Sequence, residues 1–228
     1  MRGAVLSTTH DTAEAGAALD TKRLVVVWLL GGAVPGWLWY AQYGLAPLTA
    51  EYGPFVTTFA DLCAVLFVFW RWPRVFGLSR LRPRVSDLAV GALVGYLCIN
   101  VSICLPAMGE WPWTVQMSAF CPRHRTMLFL KLLFVCHVLV IPAVEELIFR
   151  GVILGSLCKR TSVLWAVLIT AVAAAVLHDG PYAFVPQLFL CGAYLARHRS
   201  IPASIAAHVV TNALVWWPNL VVAFHFLK

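Results

Sequence analysis

The chain has 228 residues, of which 61% are hydrophobic and 12% are charged. Because a soluble domain carries about 25% charged residues, this composition predicts an integral membrane protein in contact with the lipid bilayer. The formal net charge of +7 is attributed to basic loops beside the membrane, so no nucleic-acid partner is expected.

Hydropathy divides the chain into a polar tail and a series of apolar segments. Residues 1–23 are rich in alanine, threonine and acidic residues and are predicted to form a disordered tail. The apolar segments that follow are 24–46, 54–70, 86–107, 127–158, 162–178, 181–196 and 201–227. Only helices fit them, because lipid cannot satisfy open backbone groups and no alternating strand pattern occurs. We therefore predict an all-α, polytopic membrane bundle of about seven helices, within a range of six to eight.

The apolar part of the chain is predicted to have two regions, of which the second contains most of the candidate catalytic residues. Residues 24–126 hold the first transmembrane helices and their loops, and residues 127–228 form a candidate catalytic core. The segment 127–158 is longer than one span needs, which indicates an interfacial turn before a helix centred near residue 146.

Basic residues are predicted to orient the bundle. If every segment spans, one side holds Lys22, Arg23, the loop 71–84, Lys159, Arg160, Arg197 and Arg199. The opposite loops hold only Arg123, Arg125 and Lys228. Because positive loops stay in the cytoplasm, this asymmetry predicts a cytoplasmic N-terminus.

Two adjacent carboxylates and an arginine lie inside the fourth apolar segment, where burial in lipid would be costly. Glu146 and Arg150 are four residues apart on one helical face and are expected to pair. Glu145 is turned about 100° away from Glu146, so it is predicted to take part in chemistry. The alternative is that both glutamates only neutralise Arg150.

Three further polar side chains could converge on these carboxylates. His208 and Asn212 share one face of the last helix at a spacing of four residues, and His178 ends the fifth apolar segment. Structural alternatives are a helix–helix hydrogen bond for His208 and a favourable helix-end charge for His178.

These groups suit hydrolysis of a carbonyl compound. A carboxylate assisted by an imidazole can take a proton from attacking water, while a second imidazole and an amide stabilise the oxyanion. A zinc site formed by Glu145, His178 and His208 is the nearest alternative, although no H-E-x-x-H helix occurs. The seven cysteines follow no metal-like or disulfide-like spacing, so no disulfide framework is expected. The carboxylate-based hydrolysis is predicted to need neither a metal nor another cofactor.

The sequence resembles a known family in three motifs. "IPAVEELIFRG", a histidine 33 residues after Glu145 and "HVVTN" together resemble the CPBP family of intramembrane proteases, which includes the type II CAAX prenyl endopeptidases. The family motifs are E-E-x-x-x-R, F-x-x-x-H and H-x-x-x-N/B. The second motif is matched only at its histidine, because Ala174 stands where the family has phenylalanine. The resemblance covers roughly residues 127–220.

That resemblance implies a glutamic-type intramembrane endopeptidase. Glu145 and His178 would activate water, His208 and Asn212 would form the oxyanion hole, and Glu146 with Arg150 would hold the site in register. The expected substrate is a membrane-anchored protein or peptide, and the expected location is a prokaryotic inner membrane. A non-catalytic scaffold or immunity protein, or a proton-coupled transporter, would be the alternatives from other functional classes.

Overall fold

The computed structural model describes residues 19–30, 53–72, 81–104, 131–132, 134–177 and 181–226. Its helices, in chain order, are α1 (Thr21–Trp28), α2 (Gly53–Arg71), α3 (Val85–Cys104), α4 (residues 136–157), α5 (Val163–Leu177), α6 (Pro181–Ala196) and α7 (Ile201–Phe226). The described residues contain no strand. The all-α prediction is therefore confirmed for this part of the chain.

The fourth helix is not a regular α-helix. It alternates between π-helical and α-helical geometry, in the segments Cys136–Val140 (π), Ile141–Glu146 (α), Leu147–Leu154 (π) and Gly155–Leu157 (α). Short π-helical stretches are rare in proteins, and those that occur often lie at functional sites. The two candidate carboxylates, Glu145 and Glu146, end the α-helical segment between the two π-helical ones.

The outer faces of the helices are apolar. Phe59, Leu66 and Trp70 on α2 and Leu164 and Val176 on α5 all expose more than half of their surface, as expected for a bundle surrounded by lipid. Within the described residues one helix, with the window Val85–Ser102, is both long and apolar enough to cross a bilayer. Shorter apolar helices cover Val163–Leu177, Ala183–Ala196 and Ile201–Trp217. The number of spans stays a prediction.

Two glycines bring α3 and α7 into close backbone contact. A Cβ added at Gly91 would lie 2.2 Å from the carbonyl oxygen of Ala203, and one added at Gly95 would lie 2.3 Å from that of Ala207. Real Cβ atoms do not approach so closely, so only glycine fits at these two positions. Small residues let membrane helices pack through their backbones, and here they fix the position of α7.

The turn between α6 and α7 is tied to the start of α3. Arg197 donates from Nε to Asp87 Oδ1 at 2.9 Å, and the Ser200 hydroxyl donates to Asp87 Oδ2 at 2.9 Å. His198 and Arg199 between them have positive φ angles of 53° and 67°, a conformation costly for residues other than glycine. The Asp87 contacts hold this strained turn, and with it the first residue of α7.

Basic residues collect at one end of the bundle. One buried cluster includes Ile201, and Leu81, Leu157 and Leu195 pack against it. The basic segments next to these residues in sequence therefore lie at the same end. These segments carry Arg82, Arg84, Lys159, Arg160, Arg197 and Arg199. The predicted grouping of positive charge is thus present for these residues, and the membrane side that this end faces stays a prediction.

The start of α1 packs into the bundle. Its first residue, Thr21, lies within the predicted tail 1–23, and Leu19 before it is almost fully buried. The Leu19 N–H donates to Ser156 Oγ at 3.3 Å, and Trp28 Nε1 donates to the Ala173 carbonyl at 3.2 Å. The described residues therefore include five of the predicted tail, 19–23, and residues 1–18 lie outside them.

Candidate active site

One face of α7 carries a row of polar and aromatic side chains that contact α4. Its members follow each other at intervals of four residues, the spacing that places side chains along one helical face, and they are Ser204, His208, Asn212 and Trp216. Ser204 and His208 reach Glu146, whereas Asn212 and Trp216 reach His137. The two helices therefore run antiparallel, with this row as their common seam.

Glu146 is the centre of the buried network. Its side chain is fully buried, and its Oε1 accepts from Arg150 Nη1 at 2.9 Å. The same Oε1 lies 2.8 Å from His208 Nδ1, and Oε2 accepts from the Ser204 hydroxyl. A carboxylate is an acceptor only, so a hydrogen bond here requires the proton on Nδ1 of His208. The Arg150 guanidinium, the Ser204 hydroxyl and the His208 imidazole thus compensate the burial of the Glu146 carboxylate.

Arg150 is fully buried and joins α4 to α6. Its Nη2 donates to the side-chain oxygen of Gln187 and, at 3.3 Å, to the backbone carbonyl of the same residue. Gln187 follows Pro186, which interrupts the regular hydrogen bonding inside α6. The predicted pairing of Glu146 with Arg150 is present, and it extends to a third helix.

Glu145 lies on the more open side of the same histidine. Its Oε2 is 3.7 Å from His208 Nε2, and its side chain keeps 15% of its surface exposed, whereas Glu146 keeps none. A separation of 3.7 Å is longer than a hydrogen bond and leaves room for a bridging oxygen. The His208 ring therefore has one carboxylate on each nitrogen, close on the buried side and more distant on the open side.

Asn212 lies about one turn further along α7 and contacts the backbone of α4. Its Nδ2 donates to the carbonyl of His137 at 2.9 Å. The ring of His137 packs against Trp216, with 4.6 Å between ring centroids. Asn212 thus lies on the same helical face as His208, as the spacing predicts. Its amide donates to the backbone carbonyl of His137.

The described residues bring together four of the six predicted site residues, namely Glu145, Glu146, Arg150 and His208. Asn212 lies on the same seam, and His178 lies outside the described residues. Ala174, where the family has phenylalanine, is fully buried in the cluster that also holds Val144 and Ile148. Within the described part of the chain no three His, Cys, Asp or Glu side chains form a metal-binding group. Because the zinc alternative includes His178, it stays open.

Sequence reasoning missed three members of this network. Gln187 is a lone amide in an apolar helix directly after a proline, and that signal could have identified it. Ser204 precedes His208 by four residues, so the helical spacing that places His208 and Asn212 on one face also places Ser204 there. For His137 no local pattern in the sequence shows that its carbonyl is the partner of Asn212.

Part of the chain that contains this site matches a known family. Residues 127–214, somewhat under half of the chain, match the family model "Type II CAAX prenyl endopeptidase Rce1-like". The match includes the site residues described above except Trp216, which lies two residues beyond its end. No curated protein and no solved structure matches the chain. The segment 127–214 is therefore similar to the Rce1-like domain of the CAAX protease (CPBP) family, whose members are integral membrane proteases.

Proposed function

We propose that this chain is a glutamic-type intramembrane endopeptidase in which Glu145 is the general base. The observation that carries the proposal is the pair of carboxylates on one histidine ring. Glu146 is buried and already has donors from Arg150 and Ser204, whereas Glu145 is partly exposed on the open side of His208. Two neighbouring carboxylates in such different surroundings are suited to different tasks, one structural and one chemical.

The proposed reaction is the hydrolysis of a peptide bond by one water molecule. Glu145 takes a proton from the water as its oxygen attacks the peptide carbonyl, and His178 assists in this step. The tetrahedral intermediate then collapses, the carbon–nitrogen bond breaks, and Glu145 returns the proton to the leaving amine. The two halves of the substrate leave as a carboxylic acid and an amine, and transfer of the acid proton to the amine then gives a carboxylate and an ammonium group.

The oxyanion of the intermediate is assigned to His208 and Asn212. Nδ1 of His208 is directed to Glu146, which leaves Nε2 facing the open side as a donor when the ring is protonated. The Asn212 amide has two N–H groups, of which one donates to the His137 carbonyl, so the second supplies the other oxyanion contact. Glu146 and Arg150 keep His208 in place.

The proposed substrate is a protein or peptide held at the membrane by a lipid or a terminal hydrophobic helix. Glu145 and His208 lie between apolar helices, so the scissile bond must enter the bundle to reach them. Helical backbone hides its carbonyls in hydrogen bonds, so the substrate must be extended at the cut. A tethered, CAAX-like tail meets both conditions.

The experiment uses the purified full chain in proteoliposomes with a quenched fluorogenic CAAX peptide, prenylated in one arm and unprenylated in the other. We expect cleavage of the prenylated peptide, faster than of the unprenylated one. Glu145→Gln should abolish turnover while the protein stays folded, because the substitution keeps size and removes the base. The matched variant Glu146→Gln should instead lower the yield of folded protein.

Two results would reject the proposal. Wild-type turnover by Glu145→Gln protein would exclude Glu145 as the base. Equal cleavage of the two peptides would exclude the need for a membrane tether. Comparison of protein termini in host membranes with wild-type and Glu145→Gln protein, by mass spectrometry, would then identify the natural substrate.

A further inference from the structure

The α4 helix contains a proline at a position where its hydrogen bonding needs a donor. In π-helical geometry each N–H donates to the carbonyl five residues earlier, and the Ile141 N–H does so to the Cys136 carbonyl. The next donor in this pattern is residue 142, and its acceptor is the carbonyl of His137. Residue 142 is proline, which has no N–H. The helix itself therefore does not supply this π-type partner to the His137 carbonyl.

The missing donor comes from a different helix. Nδ2 of Asn212, on α7, donates to the His137 carbonyl at 2.9 Å. Within a bilayer a carbonyl without a donor is costly, because lipid offers no hydrogen bond in its place. Four residues further along α7, Trp216 packs against the ring of the same His137. Backbone and side chain of His137 are thus both held by α7.

We propose that Asn212 is a positioning residue that replaces the N–H donor absent at Pro142 and so fixes the axial register of α7 against α4. Asn212 and His208 are separated by four residues, or about 6 Å along the helix. Contacts at both ends of this interval resist sliding of α7. The 2.8 Å contact between His208 and Glu146 depends on that register.

This role is additional to the oxyanion contact proposed above, since it uses the other N–H of the amide. It does not depend on catalysis, because it rests on one backbone hydrogen bond that can be tested by stability. The proline also offers a direct test. Replacing Pro142 by alanine returns an N–H to the backbone next to the His137 carbonyl, which should make Asn212 less necessary.

The test is a double-mutant cycle with Asn212→Ala, Pro142→Ala and the double variant in the full chain. We expect Asn212→Ala alone to lower the thermal midpoint by roughly 2–8 °C. In the Pro142→Ala background, Asn212→Ala should lower the thermal midpoint by clearly less. The matched control is Thr211→Ala. In the wild-type chain the Thr211 hydroxyl donates to the carbonyls of Gly95 on α3 and Ala207 on α7. Its effect should be the same with and without Pro142.

The second readout is kcat/KM for the prenylated peptide, measured well below the lowest of the midpoints so that every variant is folded. If Asn212 positions His208, the double variant should recover about tenfold in kcat/KM over Asn212→Ala, while the lost oxyanion contact keeps it below wild type. Equal midpoint losses from Asn212→Ala in the two backgrounds would overturn the inference. Full recovery of kcat in the double variant would support positioning and instead reject the oxyanion role.

Discussion

Replacement of Arg150 by methionine should destabilise the protein more than any loss of an exposed charge. The substitution keeps an unbranched apolar chain but leaves Glu146 without its cation in a fully buried site. Breaking a buried ion pair costs about 3–5 kcal/mol, because the remaining charge is uncompensated. At about 2–4 °C per kcal/mol for a chain of this size, the thermal midpoint should fall by roughly 6–20 °C.

The assay is tryptophan fluorescence during heating of purified protein, with two comparison variants. Arg23→Met removes the cation of an ion pair with Asp20 in which both side chains are 53% exposed, and should cost at most about 1 kcal/mol. The double variant Glu146→Gln with Arg150→Met removes both buried charges and should recover part of the loss. If Arg150→Met and Arg23→Met lower the midpoint equally, the argument from burial is refuted.

The remaining predictions concern packing, a hydroxyl and metals. Gly95→Val should prevent folding, because its Cβ would lie 2.3 Å from the Ala207 carbonyl oxygen, and the measurement is the yield of monodisperse protein in detergent. The control Gly192→Ala should be tolerated, because a Cβ at Gly192 has nothing within 4 Å. Similar yields of the two variants would contradict the close approach at Gly95. Ser204→Ala removes one donor to Glu146 and should lower stability by about 1–2 kcal/mol while kcat falls less than tenfold, whereas complete inactivation of folded protein would make Ser204 a nucleophile. Strong chelation should leave peptide cleavage unchanged, and activity lost to a chelator and restored by zinc would establish the metal mechanism.

Helix positions could be predicted closely from the sequence. The predicted segments 162–178, 181–196 and 201–227 correspond to Val163–Leu177, Pro181–Ala196 and Ile201–Phe226. Their bounds follow from hydropathy and from the prolines and polar residues between them, which are local properties. The pairing of Glu146 with Arg150 was predictable for the same reason, since it depends only on helical spacing.

The contacts between helices could not be predicted from spacing. The sequence indicates that His208 and Asn212 share a face, but not that this face contacts both Glu146 and the His137 carbonyl. The link from Arg150 to Gln187 depends on the position of α6 beside α4. The π-helical segments rotate the side chains of α4 away from regular α-helical positions, and hydrophobic periodicity does not detect such a change.

The contacts of α1 impose a delay on assembly during synthesis. The partner of Leu19 is 137 residues further along the chain, and that of Trp28 is 145 residues further. At about 5–20 residues per second the ribosome needs roughly 7–30 s to produce these partners. Through that interval α1 is already made but lacks Ser156 and the Ala173 carbonyl. Among the described helices, α1 is thus synthesised long before the residues that hold it in the bundle.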